Sequence, residues 1–219
     1  MMRCSLRLAS CFVALSFAPL AIASAEPQLF YSKYFKGSVP EYTQISVDRS
    51  GKASYQEAKD DENPIRIQLS EAEVSAMFDV AAKLNHFQNP VESGLKVANM
   101  GQKTFRYEDD KEKHEVLFNY SIDPNAQAML DWFERIAETE QDFIALDRAV
   151  HYDKLGVNDA LLLLAISQEH KRLVAAPQFL TLLDRIAKNE TFLHIARERA
   201  ASIADEIRKP AAPEKQAQP

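Results

Sequence analysis

The residues of this chain best suited to chemistry are histidines and carboxylates, which can transfer protons or bind metal ions. No two of the histidines have the i, i+4 spacing that would place both on one helical face to bind zinc. The nearest approaches to a catalytic set are His114 with Glu115, and His151. They are our candidates for a hydrolase or metal-dependent enzyme with a site built from dispersed residues. The five histidines are His86, His114, His151, His170 and His194.

The sequence lacks the motifs that bind phosphate or hold a nucleophile at a strained turn. It has five glycines, and no pair of them has the spacing of a dinucleotide fingerprint, a P-loop or a nucleophile elbow. The acidic runs at 60–63 and 108–110 lack the twelve-residue pattern of a calcium loop. We therefore predict no cofactor and no metal, and we favour a non-enzymatic binding or interaction module over an enzyme.

Tyrosines on the predicted strands form a second kind of candidate site. Tyr42, Tyr55 and Tyr107 lie in segments that also carry polar residues such as Gln44 and Arg106. An exposed aromatic strand face can stack on sugars or accept a peptide. Packing in the core or between strands is the alternative explanation for the same residues.

The first 25 residues have the features of a cleavable secretory signal. A positively charged start precedes residues 12–25 (FVALSFAPLAIASA), which end on Ala23 and Ala25, the small-x-small pattern of a signal peptidase site. Cleavage is predicted before Glu26. The apolar run of 14 residues is shorter than the roughly 20 apolar residues that a membrane-spanning helix needs. We therefore expect removal of this segment and a periplasmic or secreted protein.

The mature chain that this cleavage would leave contains no cysteine, because Cys4 and Cys11 both lie in the leader. It could form neither a disulfide nor a thiolate metal site. Loss of Arg3 and Arg7 leaves 24 basic and 32 acidic residues, a net charge of −8. This charge argues against nucleic acid as a partner, and we expect no stable membrane insertion. The expected partner is another envelope protein or a cell-wall polymer.

The order of the predicted elements indicates an α+β fold, with a small antiparallel sheet of hairpins and packed helices, followed by an all-helical C-terminal extension. Gly51 can adopt the positive φ that closes the first hairpin. Ser70 and Glu73 have the spacing of a capping box, and the apolar residues after them follow a helical period. The predicted strands are 29–36, 42–48, 52–57, 65–69, 103–108 and 115–120.

A long helix is predicted to begin at Asp123 and Pro124 and to run almost to Asp153. At about 40 Å it is longer than a small sheet can cover, so its far end needs another partner. Shorter helices supply that partner, the first of them capped by Asn158. The predicted organisation is a leader at 1–25, an α+β domain at 26–153, a helical extension at 154–208 and a disordered tail at 209–219.

Residues 41–55 (EYTQISVDRSGKASY), followed by Leu69-Ser70-x-x-Glu73 and a second hairpin, resemble uncharacterised exported bacterial proteins. In these proteins a hairpin, a capped helix and another hairpin form a small α+β domain. The resemblance covers residues 28–138. It implies this fold and an exported location, and it brings neither catalytic residues nor a ligand.

Overall fold

A computed structural model describes residues 26–209, in which the strands form one six-stranded antiparallel sheet. The strands are β1 (Gln28–Tyr34), β2 (Tyr42–Asp48), β3 (Lys52–Gln56), β4 (Ile65–Gln68), β5 (Gln102–Glu108) and β6 (Lys113–Phe118). Their order is β4-β3-β2-β1-β5-β6, so β1 joins a three-stranded meander to a hairpin. The predicted α+β class and its sheet of hairpins are confirmed.

Alternation along the central strands gives this sheet a helix-covered face and an open face. Tyr31 of β1 lies between Ile45 of β2 and Phe105 of β5, and all three are buried beneath the helices. Phe30 and Ser32, which point the other way, are only partly buried. Because side chains alternate with a period of two, each strand contributes to both faces.

The first helix, α1 (Glu71–Lys83), begins with the predicted capping box. The backbone N–H of Ser70 donates to the Glu73 carboxylate at 2.7 Å, and the N–H of Glu73 donates to the Ser70 hydroxyl oxygen at 3.3 Å. These bonds satisfy N–H groups that have no partner within the helix. The predicted apolar stripe is buried at Val74, Met77, Phe78 and Ala81.

The long helix, α2 (Pro124–Tyr152), belongs to two hydrophobic cores. Phe133 and Ile136 in its first half pack in the core beneath the sheet. Leu146 and Val150 in its second half pack in a separate core with the C-terminal helices. The predicted second partner for its far end is therefore confirmed. Between the two cores, the ionisable residue Glu140 is fully buried.

The C-terminal helices are α3 (Val157–Glu169), α4 (Leu180–Lys188) and α5 (His194–Arg208), with a 3₁₀ turn (Ala176–Phe179) before α4. The predicted cap at Asn158 is wrong, because the N-cap position is Gly156, whose N–H donates to the Asp153 carboxylate at 3.1 Å. This turn starts the helix earlier than the sequence suggests. The Asn158 side chain instead accepts a hydrogen bond from Arg199 on α5.

The segment before the 3₁₀ turn returns to the first core. Val174 and Ala175 are buried with the sheet residues. The N–H of Ala175 donates to Glu73 at 3.0 Å, so the carboxylate that caps α1 also holds this distant segment. The helical extension and the sheet are thus joined by a second contact besides α2.

The predicted leader at 1–25 and residues 210–219 of the predicted tail lie outside the described residues. Within residues 26–209, no helix is both long enough and apolar enough to cross a membrane.

Candidate functional site

The structure does not bring the three catalytic candidates together. His114 and Glu115 are neighbours on β6 and point to opposite faces of the sheet. His114 lies across from Tyr107, whereas Glu115 lies 3.5 Å from the Arg106 guanidinium on the open face. His151 lies near the end of α2, with Nδ1 2.8 Å from the carbonyl oxygen of the preceding turn. Among residues 26–209, no group of three or more histidines and carboxylates could hold a metal ion.

The three tyrosine candidates do not form one surface either. Tyr55 and Tyr107 are buried on the helix-covered face, at 1% and 6% exposure. Tyr42 lies on the open face, where its hydroxyl donates to the Gln44 side chain at 2.6 Å. The register explains the separation, because Tyr55 pairs with the core residue Ile45. Core packing, the alternative explanation given by the sequence, accounts for Tyr55 and Tyr107.

A cavity of about 330 Å³ lies between the ends of β1 and β2 and one side of α2. We call it the α2 cleft. Paired strand residues form one wall, and α2 residues spaced by four and three positions form the other. The lining residues that matter most are Tyr31, Lys33, Thr43, Glu134, Glu138 and Gln141.

Tyr31 contributes a buried hydroxyl that has no hydrogen-bond partner among the described residues. The residue is only 1% exposed, and its ring stacks on Phe133 with centroids 4.9 Å apart. Burial, followed by the negative charge of Glu134, raises the pKa of this hydroxyl, so it stays neutral. An unpaired buried polar group costs about 1–3 kcal/mol. Tyr31, which lines the cleft, therefore has an unused donor and acceptor beneath the cleft surface.

Lys33 and Glu134 face the same space from opposite walls. Both side chains are partly buried, and no nitrogen–oxygen contact within 4.0 Å joins them. Burial raises the pKa of Glu134, and the positive charges of Lys33 and then Lys103 partly oppose this rise. The two side chains therefore interact through their charges without forming an ion pair.

The other charged groups around the cleft are already paired. Glu138 accepts hydrogen bonds of 2.7 and 3.0 Å from Arg172. Lys103 is 4% exposed and donates to the carbonyl oxygens of Met100, Gly101 and Asn119 at 3.2, 3.4 and 2.8 Å. Because an ammonium group has only three N–H donors, Lys103 has none left for a ligand. Burial lowers its pKa.

A second cavity of about 220 Å³ adjoins the first and is also lined by Lys33 and Glu134. These two residues therefore stand between two spaces and can be reached from both. Neither a histidine nor a cysteine occurs among the described residues lining either space. The arrangement can donate and accept hydrogen bonds and offer one charge of each sign, and it has no activated nucleophile.

The sequence carried a signal for this site that local motifs do not reveal. Leu29, Tyr31 and Lys33 occupy alternate positions of β1, so the lysine lies on the core side of the strand. Glu134 adjoins the apolar stripe of α2. A charged residue on an apolar face is the pattern that would have singled out both.

No protein-family model matches this chain, and no curated protein matches it.

Proposed function

We propose that this protein is a non-enzymatic binding module, exported to the periplasm or secreted, that holds a small polar ligand in the α2 cleft. The cleft has the size of small-ligand sites, which start at about 300 Å³. Its walls combine buried aromatic surface with a few polar groups that would orient the ligand.

The unpaired hydroxyl of Tyr31 is the observation that carries this proposal. Buried polar groups in folded proteins nearly always have a hydrogen-bond partner. A ligand that bonds to this hydroxyl would remove the energetic cost of its burial. Lys33 and Glu134, each without a hydrogen bond or ion pair to a described residue, would add two further polar contacts beside it.

Binding is favoured over catalysis because the groups in the cleft do not form a reacting set. The hydroxyl of Ser38, on the rim of the cleft, lies 2.7 Å from the carbonyl oxygens of Phe35 and Pro40. It forms no hydrogen bond to a basic side chain among the described residues. The alternative, an enzyme built on His114, Glu115 and His151, lacks the convergence it requires.

A thermal-shift screen with a library of polar small molecules would test the proposal, using the wild type beside Tyr31→Phe. We expect one or more compounds to raise the melting temperature of the wild type by at least about 2–4 °C, the effect of roughly 1 kcal/mol in a chain of this size. The same compounds should have little effect on Tyr31→Phe.

Tyr42→Phe is the matched control, because it removes a tyrosine hydroxyl from the open face instead of the cleft. It should respond to the ligands as the wild type does. Compounds that stabilise Tyr31→Phe as strongly as the wild type, or a library without any stabilising compound, would contradict the proposed site.

A further inference from the structure

We propose that the ligand of the α2 cleft is a zwitterion of the α-amino-acid class, with its carboxylate on Lys33 and its ammonium group on Glu134. This inference rests on the proposed binding function and names the chemistry of the ligand. Its basis is the arrangement of charge in the cleft, where Lys33 and Glu134 lie on opposite walls without touching, and neither forms an ion pair with another residue of 26–209.

The separation of the two side chains points to a bridging ligand. Partly buried charges are costly unless they are paired, and a direct contact between Lys33 and Glu134 would be the simplest compensation. Their nitrogen and oxygen atoms nevertheless stay more than 4.0 Å apart. A molecule with an anionic and a cationic group a few bonds apart would pair with both at once.

Tyr31 fixes the direction in which such a ligand would lie. The Tyr31 ring stacks on Phe133 of α2 with centroids 4.9 Å apart, which places the residue against the helix that also carries Glu134. An ammonium group has three N–H donors. One can bond to the Glu134 carboxylate and another to the Tyr31 oxygen, leaving the ligand carboxylate for Lys33.

The same charges disfavour the other ligand classes. A phosphate or dicarboxylate would meet the Glu134 carboxylate, and a polyamine would meet Lys33 with the buried ammonium of Lys103 beside it. Like charges at short range repel, so either class would bind with part of its charge opposed. A neutral sugar would leave both protein charges uncompensated.

Isothermal titration calorimetry on the full mature chain would test this inference with the free α-amino acids, including D-alanine. Each binder is compared with its N-acetyl derivative, which lacks the ammonium group, and its amide, which lacks the carboxylate. We expect the free amino acid to bind about tenfold or more tightly than either derivative, since each loses a charge-assisted hydrogen bond.

Substitutions in the protein provide the complementary measurement. Lys33→Met and Glu134→Gln should each weaken the amino acid about tenfold or more, whereas Lys36→Met, at an exposed position outside the cleft, should leave affinity unchanged. The comparison of ligand derivatives on the wild type stays decisive even if one of these variants folds poorly.

The outcomes separate this inference from the function on which it rests. If a derivative with a single charge, or a neutral sugar, binds as well as the amino acid and loses affinity in Tyr31→Phe, the zwitterion is excluded and the binding site remains. If no compound of any class binds in a manner that depends on Tyr31, both proposals are overturned.

Discussion

Gln178 donates a hydrogen bond of 2.8 Å to one carboxylate oxygen of Glu140, which closes the middle of α2 onto the 3₁₀ turn before α4. The other carboxylate oxygen is buried and has no partner among the described residues. Burial raises the pKa of Glu140 from 4.5 to about 7, and the bond from Gln178 opposes only part of that rise. The junction between the two cores therefore contains a carboxyl group that titrates near neutral pH.

The contribution of Glu140 to stability should consequently decrease as the pH rises. The folded chain keeps the Glu140 proton up to about pH 7, whereas the unfolded chain releases it near pH 4.5. The stability contributed by Glu140 is complete below pH 4.5, is lost between pH 4.5 and about pH 7, and stays lost at higher pH. At about 1.4 kcal/mol per pKa unit, the loss is on the order of 3 kcal/mol.

Urea unfolding of the wild type and Glu140→Gln between pH 4 and 8 would measure this effect. As the pH rises from 4 to 8, the variant should become more stable relative to the wild type, because the amide does not ionise. Glu169→Gln, at an exposed position on α3, is the control and should follow the wild type. A constant difference between wild type and Glu140→Gln at every pH would show that Glu140 is not the titrating group.

Two tyrosine substitutions of the same size should have opposite effects on stability. Tyr31→Phe removes a hydroxyl without a partner and should leave the unliganded protein unchanged or more stable by about 1 kcal/mol. Tyr55→Phe removes a hydroxyl that donates to Glu57 at 2.8 Å and should destabilise by about 1 kcal/mol. Both are measured by chemical denaturation without ligand, and a clear loss of stability in Tyr31→Phe would reveal a hydrogen bond at that hydroxyl.

Two glycines with nearly the same backbone angle should tolerate alanine differently. Gly51 and Gly37 have φ values of +85° and +87°. A Cβ at Gly51 would lie 2.6 Å from the carbonyl oxygen of Leu69, whereas one at Gly37 would meet nothing within 4 Å. Gly37→Ala should therefore cost about 1 kcal/mol from the left-handed backbone alone, and Gly51→Ala should cost about 1–3 kcal/mol more. Equal melting temperatures for the two variants would contradict the close packing at Gly51.

The proposed export can be checked on protein purified from its native host. Mass spectrometry should find a mature N-terminus at Glu26. The control is the same chain expressed without access to a secretion pathway, which should retain the leader. Recovery of Met1 or Cys11 on the native protein would exclude both the cleavage and the expected location.

Local signals in the sequence were sufficient for most of the fold. The capping box at Ser70, the proline that starts α2 and the turn at Gly51 each depend on residues close together in the chain, so they could be read directly. The second core also followed from the sequence, because α2 is longer than the sheet can cover.

The candidate site could not be predicted in this way because it depends on contacts between distant segments. Lys33 and Glu134 are about a hundred positions apart, and they come to line the same cleft only after α2 has packed across β1. The sequence likewise shows that Tyr42 and Tyr55 lie on strands, but only the pairing of Tyr55 with Ile45 determines that Tyr55 is buried.

The continuous helix α2 connects the cleft to the C-terminal helices. Glu134 of α2 lies in the wall of the cleft, and the same helix ends among the C-terminal helices. If α2 shifts when the cleft fills, the C-terminal helices shift with it. The small molecule would then change the affinity of a partner bound to those helices. By thermodynamic reciprocity, that partner would change the affinity for the small molecule by the same factor. The cleft and the C-terminal helices would then be coupled through the one helix that contacts both.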